Sequence, residues 1–374
     1  MYREATRKED ATFPRRNDSE SGEANVRPSK SAQTKQGVKR MSMRFSQLLK
    51  ASALFFAAGV SGALAASPFE LGMVIKSTTN PYYNATLAGA KIAADETGGK
   101  VANYGPTESS AKAQVDIINS LAERHVSAIA VAPSDPDAVV PAMGRAEKLG
   151  VKVVTFDADA SGGRPFFVNQ ATSDSIGRFG AQLLIREMGP DPKGEVAVVS
   201  AQPTAANQNL WIEAFKDEVK KYPGIKLVDT VYGYDNEQKA FDATVALTTK
   251  YPNLAGIFAP TCPGLPAVAR ALESVNKGQG KIKLSGNCVP SITSKYMLDG
   301  TIGGFYLWDP SKLGYVTYYA AKALADGNIT GKPGDSFTIE KGKWPGTYTI
   351  GQNGQIITGQ PVEFTKDNYK DFNF

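Results

Sequence analysis

The chain has 374 residues, of which 21% are charged, with a formal net charge of +5 and a single histidine. Residues 1–66 hold 12 of the 42 basic and 6 of the 37 acidic residues, so the remainder has 30 basic and 31 acidic residues, a net charge of −1. This balance excludes a basic face for nucleic acid, and one histidine excludes a histidine-rich metal site. The remainder is long enough for two ordinary domains.

Two segments precede the part of the sequence that has the pattern of a folded domain. Residues 1–40 are polar and charged and have no apolar periodicity, so we expect a disordered extension that reflects a start codon placed too early. A basic segment begins at Met41, an apolar run covers 51–64, and an A-x-A-like site follows. This pattern predicts a cleaved signal peptide over 41–66, because the run is shorter than the ~20 residues of a membrane-spanning helix. The predicted cleavage site is not directly followed by a cysteine. The protein is therefore predicted to be periplasmic without a lipid anchor.

From residue 67 onward, strand-like and helix-like blocks alternate. The first half predicts strands over 70–76, 100–104, 128–132, 151–156 and 165–168, and helices over 81–97, 111–124 and 139–148. The second half predicts strands over 195–200, 226–232, 254–259, 281–286 and 301–308, and helices over 175–188, 209–222, 238–251, 266–275, 291–299 and 313–325. Apolar strands separated by helices predict an α/β fold with parallel sheets covered on both faces, and the pattern breaks near Gln170.

Polar and aromatic residues follow the ends of the predicted strands. The candidate ligand-binding residues are Lys76, Asn80, Tyr82, Tyr83, Asp157, Asn207, Gln208, Trp211, Pro260, Thr261, Cys262, Asn287 and Asp309, with Trp308 either among them or in the core. Ligands bind at the carboxyl ends of parallel strands. Amides offer donors and acceptors, carboxylates bind hydroxyl groups strongly, and aromatic rings pack on the apolar face of a sugar. The mixture predicts a cleft for a sugar or polyol.

Signatures of enzymes are absent from the sequence. It contains no G-x-S-x-G, P-loop or G-x-G-x-x-G pattern, and no cofactor or metal is predicted. The lone His125 precedes a strand and is predicted to be exposed. Cys262 and Cys288 follow neighbouring strands of the second half, where either a disulfide between adjacent loops or two free buried thiols is compatible with the sequence.

These motifs resemble those of periplasmic sugar-binding proteins of the ribose-binding type, the soluble components of ABC importers. The resemblance covers the chain from about Phe69 to its end and is carried by Lys76-x3-Asn80-Pro-Tyr-Tyr83 and Thr155-Phe-Asp157. It implies two Rossmann-like lobes, 67–169 plus 310–332 and 170–309 plus 333–374, the last segment forming a strap. Three crossover hinge segments near Gln170, Asp309 and Lys332 would join the lobes.

Within that family, the sequence is most similar to the rhamnose-binding and autoinducer-2-binding branch. The shared segments are Tyr104-Gly-Pro-Thr-Glu108, Pro133-x-Asp135-Pro-Asp137, Asn207-Gln-Asn-Leu-Trp211, Ala259-Pro-Thr261 and Trp308-Asp309-Pro. Lys76, Asp157, Gln208 and Pro260 match the autoinducer-2 receptors, whereas Asn207 and Cys262 depart from them. Ala158 and Asn287 depart from the ribose binders. The resemblance therefore favours a rhamnose-like ligand over autoinducer-2.

The resemblance implies a monomer that closes around its ligand and delivers it to the membrane permease of an ABC importer; a chemoreceptor is a further expected partner. A ligand-sensing repressor core shares this fold but would need a helix-turn-helix, which residues 1–40 lack. An exported α/β enzyme is the remaining alternative from a different class.

Overall fold

The computed structural model describes residues 67–374, so the predicted extension over 1–40 and signal peptide over 41–66 lie outside the described residues. The strands are β1 (Glu70–Val74), β2 (Lys100–Tyr104), β3 (Ala128–Val131), β4 (Lys152–Phe156), β5 (Phe167–Asn169), β6 (Gly194–Ser200), β7 (Ile225–Tyr232), β8 (Leu254–Ala259), β9 (Lys283–Asn287), β10 (Gly304–Leu307), β11 (Ser336–Ile339), β12 (Gly346–Thr349), β13 (Gln355–Ile357) and β14 (Val362–Phe364). The helices are α1 (Pro81–Thr97), α2 (Ala111–Glu123), α3 (Val140–Lys148), α4 (Ser173–Met188), α5 (Ala206–Val219), α6 (Glu237–Lys250), α7 (Gly264–Ser274), α8 (Pro290–Leu298) and α9 (Pro310–Ala325).

The strands form two six-stranded sheets, one in each lobe. The first has the order β13-β5-β4-β3-β1-β2 and is parallel throughout. The second has the order β14-β10-β9-β8-β6-β7, and only its edge strand β14 runs antiparallel. The prediction of two Rossmann-like α/β lobes is confirmed. Because both sheets are mostly parallel, the carboxyl ends of their strands, and the loops that follow them, lie along one edge of each sheet.

The chain passes between the lobes three times, at 170–172, 308–309 and 358–361. The first two crossings lie where the sequence predicts them, but the third does not lie near Lys332. The strand β13 extends the first sheet by pairing with β5, and Trp344 packs on Tyr315 with a ring-centroid distance of 5.0 Å. The segment up to Ile357 therefore belongs to the first lobe, and the predicted lobe boundary at 332/333 is corrected. Its composition, rich in Gly, Pro and Thr, has no periodicity that could assign it to either sheet.

Helices α1 and α9 pack unusually closely in the first lobe. A Cβ atom on Gly89 would lie 1.7 Å from the carbonyl oxygen of Ser311, and one on Gly314 would lie 1.9 Å from that of Thr86. Only glycine permits this approach, because any side chain would clash with backbone. The close packing brings the first turn of α1 next to the residues that precede α9, and both regions contribute to the cavity described below.

Helix α1 begins where its sequence predicts. Pro81 occupies the first helical turn, and the side chain of Asn80 accepts a hydrogen bond from the backbone N–H of Tyr82 at 3.1 Å. Gly98 ends the helix in the left-handed conformation, with φ of 69°. These caps fix the start of α1, so Tyr82 and Tyr83 occupy a defined position in its first turn, where both are buried.

Two further sequence predictions concern single residues. His125 is exposed, as predicted. Cys262 and Cys288, for which the sequence left two alternatives open, form a disulfide. Among residues 67–374, no helix combines the length and the apolar character needed to cross a membrane.

Candidate functional site

A cavity lies between the lobes, at the carboxyl ends of both sheets. It is lined by Lys76, Asn80, Tyr82, Tyr83, Asp157, Asn207, Gln208, Trp211, Asp235, Pro260, Thr261, Cys262, Asn287, Leu307 and Trp308. Of the predicted site residues, the structure brings all except Asp309 to this cavity. The residues that line the cavity come from both lobes and from seven segments of the chain. Only the closed arrangement of the lobes places them together.

Asp157 is the centre of the polar contacts from the first lobe. Its Oδ2 accepts a hydrogen bond from the hydroxyl of Tyr83 at 2.9 Å and lies 4.0 Å from Nζ of Lys76. Burial raises the pKa of Asp157 above its ordinary value, although Lys76 and the Tyr83 hydroxyl act in the opposite direction. The carboxylate therefore combines one internal donor with one nearby cation and keeps acceptor capacity for a further hydroxyl group.

The backbone at Asp157 is strained. Its φ is +62°, in the left-handed region that an aspartate adopts only at a cost. The backbone carbonyl oxygen of Asp157 accepts hydrogen bonds from Nδ2 of Asn207 and Nε2 of Gln170, each at 3.3 Å. Residues held in such a conformation concentrate at binding sites, where the surrounding contacts enforce the geometry. This strain directs the carboxylate away from the continuation of β4 and into the cavity.

Asn207 and Gln208 lie in the first turn of α5 in the second lobe. Oδ1 of Asn207 accepts a hydrogen bond from Nζ of Lys76 at 2.9 Å, so this pair joins the two lobes directly. Oε1 of Gln208 accepts bonds from the hydroxyl of Ser200 at 2.6 Å and the backbone N–H of Ala201 at 2.8 Å. Among the residues that the structure describes, Nε2 of Gln208 donates to no partner, so this amide nitrogen is a donor for a ligand.

Aromatic side chains form one wall of the cavity. Nε1 of Trp308 donates a hydrogen bond to the hydroxyl of Tyr82 at 2.9 Å, and the rings of Trp211 and Trp308 have centroids 5.5 Å apart. All three side chains are at least 95% buried. The indole N–H of Trp308 and the hydroxyl of Tyr82 are bonded to each other, and all three residues line the cavity. Such a wall suits the apolar face of a sugar ring.

Asp235 lines the cavity and was not among the predicted site residues. It follows β7, with φ of +51°, and its Oδ1 accepts a hydrogen bond from the hydroxyl of Thr261 at 2.5 Å. Burial raises the pKa of Asp235 above its ordinary value. The rule that selected the other candidates, a polar residue just after a strand, applies to Asp235 as well. Gly233 and Tyr234 separate Asp235 from the end of β7, so the pattern of the sequence did not select it. The backbone turns back toward the cleft only through two consecutive left-handed residues, Tyr234 and Asp235.

Asn287 ends β9 and carries a polar atom without a partner. The residue is only 4% exposed, and its buried Oδ1 has no hydrogen bond within the described chain. A buried unpaired acceptor costs on the order of 1–3 kcal/mol. Since Asn287 lines the cavity, a hydroxyl or amine donor on a ligand would satisfy it.

Asp309 is the one predicted site residue that the structure places elsewhere. Its Oδ1 accepts a hydrogen bond from the backbone N–H of Lys312 at 2.9 Å, which caps α9. The sequence Asp-Pro before a helix is a strong N-cap pattern, and this local role takes up the carboxylate. Leu307 and Trp308, which precede it, line the cavity instead. The assignment of Asp309 to the ligand site is therefore corrected.

The charges of the cavity do not balance. One cation, Lys76, faces two buried carboxylates, Asp157 and Asp235, and no cluster suited to a metal ion exists among residues 67–374. A buried carboxylate needs hydrogen-bond donors to offset its lost hydration. The site therefore suits a ligand with several hydroxyl or amine donors, and it disfavours an anion.

The comparisons with known proteins agree with this architecture. Residues 71–329 match the model of the periplasmic binding protein domain. The chain belongs to the periplasmic binding protein family. One similar structure is an ABC transporter solute-binding protein from Clostridium phytofermentas with bound L-rhamnose. It is 32% identical, with a TM-score of 0.75, over 82% of this chain and 98% of that chain.

Two further comparisons have lower identity. The structure of LsrB from Clostridium saccharobutylicum in complex with AI-2 is 24% identical, with a TM-score of 0.77 over 82% of this chain and all of that chain, so the likeness concerns the fold. The D-allose-binding periplasmic protein of Escherichia coli is 25% identical over 274 residues, which are 70% of this chain and 86% of that protein. Members of this family are periplasmic solute-binding proteins, in agreement with the expected compartment.

The substitution Asp235→Asn is expected to stabilise the ligand-free protein at neutral pH. A raised carboxyl pKa means that the folded protein binds the proton more tightly than the unfolded chain, so the charge destabilises the fold at neutral pH. Asparagine removes that charge and still accepts from Thr261. We expect the melting temperature of the ligand-free protein to rise by a few degrees at pH 7, and this gain to vanish as pH falls through the folded pKa. Thermal unfolding between pH 4 and pH 8 measures this; a lower melting temperature at pH 7 would contradict it.

Proposed function

We propose that this protein binds one neutral monosaccharide in the cavity between its lobes and delivers it to the permease of an ABC importer. The observation that carries the proposal is the composition of the closed cavity. Two buried carboxylates, the unpaired Oδ1 of Asn287 and the free Nε2 of Gln208 face an aromatic wall. Carboxylates and amides bind the hydroxyl groups of a sugar, and aromatic side chains suit the apolar face of a sugar ring.

A rhamnose-like deoxyhexose is the favoured ligand. The solute-binding protein with bound L-rhamnose shares 32% of aligned residues with this chain, and Asn207 and Cys262 depart from the autoinducer-2 receptors. A deoxyhexose also presents a methyl group, which suits the apolar edges of Trp211 and Trp308. Autoinducer-2 is the second candidate, because Lys76, Asp157, Gln208 and Pro260 match its receptors.

Transport follows from the reversible closure of the lobes. Ligand contacts to both lobes stabilise the closed form, and no bond is made or broken. The permease would recognise the surface that the two lobes form together. We further propose that the protein acts as a monomer in the periplasm after removal of residues 41–66 as a signal peptide, with a chemoreceptor as a second partner.

A thermal-shift panel tests the proposal. Purified protein is heated with neutral deoxyhexoses, pentoses, hexoses and polyols, with autoinducer-2, and with a uronic acid and a sugar phosphate as charged comparators. A ligand present at a hundred times its Kd stabilises the folded protein by about 2.7 kcal/mol, which shifts the melting temperature by several degrees. We expect a shift with at least one neutral sugar, L-rhamnose first, and none with the acids.

Other results of the same panel would contradict the proposal. A shift only with the acidic sugars would refute the charge argument. Turnover of a chromogenic glycoside, together with no shift from any neutral sugar, would favour the exported enzyme instead.

A further inference from the structure

The lobes contact each other at a second place, outside the cavity. Glu108 lies in the loop between β2 and α2 of the first lobe. Its Oε1 accepts a hydrogen bond from Nδ2 of Asn236 at 3.1 Å, and its Oε2 accepts one from Nζ of Lys239 at 2.6 Å. Both partners belong to the start of α6 in the second lobe. We call this set of three residues, Glu108 with Asn236 and Lys239, the rim contact.

The sheet order places the rim contact opposite the crossings. The three crossings leave from β5, β10 and β13, which lie at or next to one edge of each sheet. The rim contact joins the loop after β2 to the loop after β7, and these strands form the other edge of each sheet. When two lobes rotate about crossings at one side, the opposite side separates most. A contact there is therefore broken first on opening and made last on closing.

The rim contact is also connected to the cavity through the chain itself. Asn236 caps α6 by accepting the backbone N–H of Lys239 at 3.0 Å, and it directly follows Asp235, which lines the cavity. Lys239 also lies over the ring of Tyr234, with its Nζ 5.5 Å from the ring centroid. Asp235, whose carboxylate lines the cavity, is therefore followed directly by Asn236, which is bonded to Glu108 of the other lobe.

A neighbouring contact supports the same edge. The carbonyl oxygen of Ser134 in the first lobe accepts hydrogen bonds from Nε2 of Gln202 and from the hydroxyl of Thr204 at 3.1 Å, both in the second lobe. The hydroxyl of Ser109, next to Glu108, bonds that of Ser134 at 2.8 Å. The closed edge is therefore held by polar contacts over several residues.

The strength of the rim contact suits a reversible closure. The side chains of Glu108 and Lys239 are 46% and 50% exposed, so water and salt screen the ion pair. The pKa of Glu108 is lowered by the hydrogen bond and charge of Lys239, so the carboxylate is ionised throughout the neutral range. Exposed ion pairs of this kind change an equilibrium by about two- to fivefold. A contact of this size biases closure without trapping the ligand.

We propose that Glu108 is a positioning residue that stabilises the closed form through Asn236 and Lys239 and thereby slows release of the ligand, without touching it. The sugar-dependent part of this inference rests on the proposed function. It predicts that loss of the rim contact weakens binding of every sugar by the same factor, because it acts on closure. A residue that contacts the ligand would instead change the preference among sugars.

The test uses four variants and two readouts. Glu108→Gln removes the charge, Glu108→Lys makes the contact repulsive, and the double variant Glu108→Lys/Lys239→Glu reverses the pair. The matched control is Asp116→Asn, which removes an exposed ion pair with Lys112 inside the first lobe. The first readout is release of L-rhamnose, followed by stopped-flow tryptophan fluorescence at low and high salt. The second is the radius of gyration of the sugar-free protein by small-angle X-ray scattering.

We expect Glu108→Gln to release L-rhamnose about two- to fivefold faster than the wild type at low salt, with the difference lost at high salt. Glu108→Lys should release it faster still and should be the more expanded protein without sugar, and the double variant should recover most of both effects. Asp116→Asn should match the wild type. Release rates and radii equal to those of the control, or a double variant no better than Glu108→Lys, would overturn the proposal.

The two readouts keep this inference separate from the proposed function. If the wild type binds no monosaccharide, the proposed function fails, and the scattering comparison alone decides on the rim contact. Equal radii for the wild type and Glu108→Lys would then overturn it, whereas expansion of Glu108→Lys that the double variant reverses would support it.

Discussion

Substitution of Asp157 by asparagine is expected to weaken binding of the sugar by about 30-fold or more. The carboxylate accepts the hydroxyl of Tyr83, lies 4.0 Å from Nζ of Lys76 and faces the cavity. Asparagine has a similar shape but removes one of the two buried carboxylates that Lys76 faces. It also replaces a charge-assisted acceptor for the ligand by a weaker one. Removal of one member of such a buried set costs about 2–5 kcal/mol, so the affinity should fall by about 30-fold to several thousandfold.

Isothermal titration calorimetry with the sugar that gives the largest thermal shift measures this effect. The matched control is Asp309→Asn. Asparagine also caps helices well, and Asp309 does not line the cavity, so its affinity should equal that of the wild type. Loss of affinity in Asp309→Asn, or an Asp157→Asn protein that binds within threefold of the wild type, would contradict the structure of the site presented above.

Removal of the disulfide is expected to have the largest effect on stability. Cys262 and Cys288 are 26 residues apart, and the loop they close contains α7 and all of β9. The entropy of closing a loop of this length in the unfolded chain corresponds to about 3.5 kcal/mol. The double variant Cys262→Ala/Cys288→Ala should therefore lower the free energy of unfolding by about 2–4 kcal/mol, and the melting temperature should fall accordingly.

Chemical denaturation with and without a reductant measures this stability. Reductant should destabilise the wild type by a similar amount and should leave the double variant unchanged, which separates loss of the bond from loss of the two side chains. Because Cys262 lines the cavity beside Thr261, we also expect weaker sugar binding in the reduced wild type and in the double variant. A wild type that is equally stable with and without reductant would show that the bond does not contribute.

The sequence predicts the alternation of strands and helices well because the apolar strands are continuous and their helices carry clear caps. The segment Pro81–Thr97 illustrates this: Asn80, Pro81 and Gly98 mark its two ends, and the observed helix has the same bounds. The segment after residue 332 lacks such signals. Its short strands are defined by their partners, as β13 is by β5, and pairing between distant segments cannot be read from local composition.

The candidate site could be predicted largely from one rule, that polar residues just after strands of a parallel sheet converge. The rule fails at Asp309 and misses Asp235, for opposite physical reasons. Asp309 has a local partner, the start of α9, that takes up its carboxylate. Asp235 reaches the cavity through a left-handed turn, which no pattern of apolar residues reveals. The rim contact was beyond prediction, because Glu108 and Lys239 are 131 residues apart and neither is buried.

The most direct test of the central claim is a fluorescence titration with neutral monosaccharides. Two of the three tryptophans, Trp211 and Trp308, line the cavity, whereas Trp344 packs on Tyr315 away from it. A neutral sugar, L-rhamnose first, should change the emission saturably with one site per chain. The Trp344→Phe protein should retain this change, and the corresponding uronic acid should produce none. The absence of a saturable change with every neutral monosaccharide, or an equal response to the uronic acid, would contradict the claim that the cavity binds an uncharged sugar.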